Sequence, residues 1–171
     1  MSYVSGIYNK NKTIKLLACF LAVILLLLSS CSEDTGRVEK IGSFEMFLPD
    51  HTWTGKNNIF KVVLRKDDHL VMKVFMRKGS LEYCYRASTY LLVKKISDFN
   101  LSVGPYRCIG HRIKTTLTDV LVDQIFYSVS EEQTLRFDFF VENNAGLKRD
   151  DPEVIEIIQS VIELNGYDNS D

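Results

Sequence analysis

Leu16 to Leu28 is an unbroken apolar run of 13 residues, LLACFLAVILLLL. No other segment constrains the chain as strongly. A membrane-spanning helix takes about 20 apolar residues, so this run is too short to read as a span. Lys10, Lys12 and Lys15 precede it and are the only charged side chains among residues 1–30. A basic stretch ahead of a short apolar core is the layout of a secretory signal. Residues 1–30 therefore read as a leader, and the folded part is sought after it.

The run closes on Leu28-Ser29-Ser30-Cys31, which resembles the lipobox of bacterial lipoproteins: an apolar residue, two small ones, then Cys. The resemblance implies cleavage before Cys31, a diacylglycerol on its thiol and acylation, palmitate included, of the new N-terminus. Several acyl chains anchor stably where one is marginal. The implied address is the bacterial cell envelope. Ser32, not Asp, follows Cys31, which in enteric-type sorting points to the outer membrane. Ser32-Glu33-Asp34 also resembles an acidic tag that places some lipoproteins on the cell surface. Residues 31–41 read as the lipidated cysteine and a polar tether.

Without the three leader lysines, 18 basic residues face 22 acidic ones, a formal charge of −4 over residues 31–171. No basic excess exists to hold phosphate backbones, so nucleic acid is not an expected partner. A hydrophobic content of 46% and a charged content of 25% are ordinary for a globular chain, and the length suits one core.

The pattern along residues 42–166 is that of a single α+β domain, with 167–171 as a tail. Gly42–Leu48 reads as a strand stopped by Pro49-Asp50, and Asn58–Arg65 as a second. Lys66-Asp67-Asp68-His69 makes a tight turn into a third strand, where Leu70, Met72, Val74 and Met76 alternate with a mixed face. Ser80 caps a helix expected over 81–95, ending in two lysines. Further strands are expected at Phe99–Val103, Arg107–Thr116, within Asp119–Val129, and at Thr134–Val141. Asp151-Pro152-Glu153 opens a last helix, its apolar residues Val154, Ile155, Ile158, Val161 and Ile162 at helical spacing, and Asn165-Gly166 stops it. The expected architecture is a mostly antiparallel sheet of about six to seven strands with two helices packed on one face.

Phe44-Glu45-Met46-Phe47-Leu48-Pro49 followed by Trp53 resembles the aromatic-x-aromatic-x-Pro…Trp opening of the Mog1/PsbP-like proteins, whose DcrB-type branch includes small lipoproteins. The Ser80 helix and the isoleucine-rich closing helix with its Ser160 are similar to the same pattern. The resemblance covers about residues 42–165. It implies a binding or accessory protein with no shared catalytic centre, and carries over no site residue.

Cys19 leaves with the leader, so Cys84 and Cys108 remain after Cys31. An even number in an oxidising compartment favours a disulfide, while the expected side-chain directions favour two free thiols. Both readings stand on the sequence. A Cys108–His111 nucleophile is disfavoured because odd spacing on a strand sends the two to opposite faces.

Among the histidines, His69 reads as part of a solvated turn, His51 as a loop residue and His111 as a satisfied, partly buried side chain. No spaced Cys or His pairs suggest a metal. Asp123 and Asp138 lie on neighbouring expected strands and could pair, with Arg136 nearby suggesting ordinary surface charge. Tyr83 and Tyr90 share a helical face that Tyr85 lies off, and these with Tyr106 and Tyr127 suit either core packing or a partner surface. The motifs of nucleotide binding, serine hydrolysis and zinc proteolysis are missing. The expectation is a non-catalytic lipid-anchored protein without a cofactor. It would bind an envelope protein, as an accessory, secretion-system or immunity factor. The alternative is a lipoprotein that binds a small molecule or lipid.

Overall fold

Two hairpins open the folded unit. In the computed structural model, residues 35–58, 60–89 and 92–168 are described. β1 (Arg37–Ile41) pairs antiparallel with β2 (Phe44–Leu48) through a turn at Gly42, whose φ of 66° suits a residue without a Cβ. This hairpin forms a sheet of its own. The expected tether therefore ends earlier than residue 41, because Arg37 already pairs with Leu48. Arg37 also donates to the carbonyls of Asp50 and Trp53, at 2.9 Å each, and so ties the hairpin to the first strand of the main sheet.

β3 (Trp53–Asn58), β4 (Lys61–Lys66) and β5 (His69–Lys78) form a meander. Asp67 and Asp68 both have positive φ, 49° and 63°, the conformation of a two-residue hairpin turn whose twist matches its strands. Then come α1 (Leu81–Ala87), β6 (Val93–Val103), β7 (Tyr106–Thr115), β8 (Leu121–Ser130), β9 (Gln133–Phe140) and α2 (Pro152–Leu164). The main sheet has seven strands in the order β3-β4-β5-β9-β8-β7-β6, every neighbouring pair antiparallel. The protein is an α+β fold.

The first helix is shorter than the sequence suggests. It ends at Ala87, and Val93, Lys94 and Lys95 already pair with β7. Ten paired residues along β6 outweigh a modest local helix preference. Lys94 and Lys95 lie instead on an edge strand, where charge discourages pairing with another chain. β3 is a strand although Gly55, Lys56, Asn57 and Asn58 are poor strand formers; pairing with β4 decides it.

The helices do not share a face of the sheet. Ile125, Tyr127, Leu135, Phe137 and Phe139 point to one side, where α2 lays Val154, Ile157, Ile158, Val161 and Ile162 over them. Burying these five helix side chains contributes on the order of 10 kcal/mol as an upper estimate. Phe126, Gln124 and His111 point the other way, and Tyr85 of α1 stacks on Phe126 and His111 with centroids at 5.5 and 4.6 Å. Successive strand residues face opposite sides, so Ile125 and Phe126 assign the two helices to two layers.

On the α2 side, the β1–β2 hairpin fills the core with Ile41, Phe44, Met46 and Leu48, beside the fully buried Trp53. Helix side chains satisfy the open edge of β2. Ser160 Oγ accepts from Phe47 N at 2.9 Å and donates to Ile157 O at 2.8 Å. Asn165 accepts from Glu45 N at 3.0 Å and donates to Glu45 O and Val161 O at 2.8 Å. Trp53 Nε1 donates to Glu153 at 2.8 Å, and Lys66 pairs with the same carboxylate.

At the β6–β7 end of this layer, the Phe99 ring covers Gly110 so closely that a Cβ there would lie 2.4 Å from the ring. Arg149 stacks on Phe99 at 3.9 Å and donates to the buried Asp123 at 2.6 Å. Arg112 holds the other side of Asp123 through two bonds of 2.7 Å. Gly110→Ala is therefore expected to cost about 1–3 kcal/mol through displacement of Phe99. Urea denaturation reads this as a lowered midpoint at unchanged slope. An unchanged midpoint would contradict the tight Phe99–Gly110 contact.

Candidate binding site

Helix α1 is seven residues long and needs tertiary support. Ser80 Oγ caps it by accepting from Tyr83 N at 3.3 Å. Gly79 N donates to Glu132 O at 2.7 Å, and Thr134 Oγ1 donates to Gly79 O at 3.0 Å, fixing the helix start to β9.

Under the helix runs a polar chain. His111 is fully buried, with Nε2 at 3.0 Å from Gln124 Oε1 and 2.9 Å from Ser88 Oγ. Ser88 Oγ donates to Tyr85 O at 2.7 Å, so it accepts from the imidazole. These partners assign the proton of a neutral ring to Nε2, and leave Nδ1 buried without a hydrogen-bond partner. Burial pushes the His111 pKa below its ordinary value, against the Gln124 hydrogen bond. Tyr85 donates to Asp98, and burial together with that bond pushes its phenol up to about 12. Lys95 and Tyr85 hold the exposed Asp98 carboxyl below its usual range.

Beside this chain lies a cationic group on β5 and β9. Phe75 sits opposite Arg136, and the guanidinium carbons of Arg136 and Arg77 lie 4.5 and 5.2 Å from its ring centre. Arg136 pairs with Asp138 at 2.7 Å, their side chains 14% and 11% exposed. Arg136 Nε and Asp138 Oδ1 are buried without hydrogen-bond partners. Burial and the neighbouring Arg136 charge draw the Arg77 pKa down; burial and Lys61 do the same to Lys73. A cavity of about 420 Å³ opens between this group and α1, lined by Arg77, Lys78, Cys84, Ser88, Phe126 and Arg136, with Tyr83 at its rim.

The sequence-derived candidates are dispersed over the fold, some as expected and some not. Cys84 and Cys108 are free thiols, Cys84 on the inner face of α1 and Cys108 in the α2 core, so the disulfide left open by the sequence is not formed. Burial pushes Cys108 up to about 12, which makes it a poor nucleophile. Asp123 and Asp138 do not pair: Asp123 opposes Phe139 while Asp138 opposes Gln124, and the two point to opposite faces. Both are buried rather than surface charges.

Tyr83 is 66% exposed, Tyr85 is packed beneath α1, and Tyr106 stacks edge-on against Tyr127 at 5.6 Å. Tyr90, like Cys31 and the whole leader, lies outside the described residues. His51 is exposed in a turn, and His69 is exposed at the start of β5. Among the described residues no cluster of three His, Cys, Asp or Glu side chains could hold a metal ion, and no helix is long and apolar enough to cross a membrane. Neither Arg77 nor Gln124 stands out in the sequence. Lys73-x-Phe75-x-Arg77 is visible there as the mixed face of its strand, but nothing local brings Arg136 to it.

No family model matches the chain, and a search of curated proteins finds no match.

The buried neutral His111 has a consequence in acid. The unfolded imidazole takes up a proton below about pH 6.5, whereas the folded one, with its lowered pKa, resists. Stability is thus full above that pH and falls as the pH drops beneath it. Lys95, Asp98 and Asp138 set the surrounding field. His111→Gln is expected to flatten the dependence of the urea midpoint on pH between about 6.5 and 5. Equal slopes in both proteins would contradict a buried neutral imidazole.

Proposed function

We propose that this chain is a lipid-anchored protein of the bacterial envelope that works by binding, as a non-catalytic accessory or immunity factor for an envelope protein. The observation that carries the reading is Leu28-Ser29-Ser30-Cys31, set behind three lysines and the 13-residue apolar run. Arg37 enters β1 six residues after Cys31. At about 3.5 Å per residue, a lipid on Cys31 would hold the start of the domain within about 20 Å of the bilayer surface. Phe60, 85% exposed beside the β3–β4 turn, and the exposed Tyr83 offer aromatic anchors of the kind that dominate interfaces.

A second reading, a lipoprotein that binds a small molecule, is favoured by the cavity beneath α1. Its volume lies in the range of ligand pockets, and its charged groups converge.

The anchor is tested by growing cells with labelled palmitate and fractionating them. The full chain is expected in the membrane fraction, labelled and beginning at Cys31. Cys31→Ala is expected to abolish the label and leave the leader uncleaved. An unlabelled, soluble wild-type chain with another N-terminus would overturn the reading.

A further inference from the structure

We infer that the cavity between α1 and strands β5, β8 and β9 is a binding site for a phosphate group, gripped by the guanidinium forks of Arg77 and Arg136.

The charge around the cavity favours an anion. Arg77, Lys78 and Arg136 line the cavity, and Asp138, paired with Arg136, is the carboxylate that answers them. Three cations against one anion leave an excess of two positive charges, Arg77 and Lys78 exposed at the mouth and Arg136 largely buried. Among the described residues Arg77 makes no ion pair. Beyond burial, the repulsion from Arg136 that helps to lower its pKa is a cost that a bound anion would offset.

Unsatisfied polar atoms and held guanidinium groups favour it too. Arg136 has one arm on Asp138 at 2.7 Å, while its Nε–H and the Oδ1 of Asp138 are both buried without partners, so the pair is only half satisfied beside the cavity. An unmet charged donor is expensive in a protein interior. Both guanidinium groups rest on Phe75, which limits their rotation and keeps the forks preformed. Planar forks bind phosphate and carboxylate through paired hydrogen bonds.

The excess of two charges selects a phosphomonoester over a carboxylate. A phosphomonoester has its second pKa near 6 and carries almost two negative charges at neutral pH. The cavity volume, about 420 Å³, exceeds what a bare phosphate fills. Phe126 and Ala87 supply an apolar wall for whatever the phosphate is attached to. Stacking on Phe75 alone would explain one arginine. It does not explain why a second guanidinium, that of the exposed Arg77, is held on the same ring as the largely buried Arg136.

The phosphate could belong to a soluble ester or to a lipid headgroup, and the experiment separates the two. The full-length chain in neutral detergent micelles is titrated at pH 7.5 with inorganic phosphate, and in a second arm with micelles doped with phosphatidic acid or phosphatidylcholine. The Nε–Hε signals of Arg77 and Arg136 are followed by NMR. Saturable shifts with inorganic phosphate, weakened about tenfold or more by Arg77→Ala, would uphold the site with a soluble source. Shifts seen with phosphatidic acid alone, lost in Arg77→Ala, would uphold it with a lipid source. Arg136→Lys keeps a cation beside Asp138 but removes the fork, and is expected to weaken binding likewise. No shift in either arm, or full binding by both variants, would overturn the inference. The result is independent of whether Cys31 carries lipid.

Discussion

The alternation of side chains along β8 and β9 decides most of what this domain is. Ile125 and Tyr127 on one strand meet Phe137 and Leu135 on the other, and all four face α2. Gln124 and Phe126 meet Asp138 and Arg136, and these face α1. A strand has no choice about this, since its side chains alternate with a period of two. One central hairpin therefore supplies an apolar layer and a polar layer back to back. The isoleucine face of α2 closes the first. The β1–β2 hairpin fits beside it because Ser160 and Asn165 take up the backbone groups of β2 that a lone hairpin would expose.

The second layer is built from less favourable materials. Its helix has seven residues, its histidine lacks a partner on one nitrogen, and two arginines share one aromatic ring. Such features lower stability, and natural domains concentrate them where binding takes place. The α2 side shows the contrast. Asp123 is as deeply buried as His111, yet both its oxygens are held by Arg112 and Arg149. Buried charge there is fully answered; under α1 it is not.

What can be read from the sequence is whatever local chemistry decides. The last helix is legible from Asp151-Pro152-Glu153 at its start and Asn165-Gly166 at its end, and the β4–β5 turn from its paired aspartates. The α+β class rests on those elements. β1, β3 and the first half of β6 are not legible, because their own residues are poor strand formers and pairing with a better neighbouring strand decides them: Arg37 pairs with Leu48, Asn57 with Val62, and Lys95 with Ile113. The separation of the two helices onto opposite faces is lost with the wrong length for the first. In the site, the Phe75–Arg77 half can be seen as alternation along one strand. The half that makes it a site, Arg136, arrives through the β5–β9 pairing, which no local signal announces.

The α2 layer holds the large apolar core, and the α1 layer attaches to it through one seven-residue helix. Hydrogen exchange measured amide by amide tests this directly. Amides of β5, β8, β9 and α2 are expected to exchange through global unfolding alone. Those of α1 are expected to exchange through a local opening of lower free energy that leaves the sheet protected. Equal protection of α1 and β8 across denaturant concentrations would contradict the division, and with it the account of why the unmet charges gather on that side.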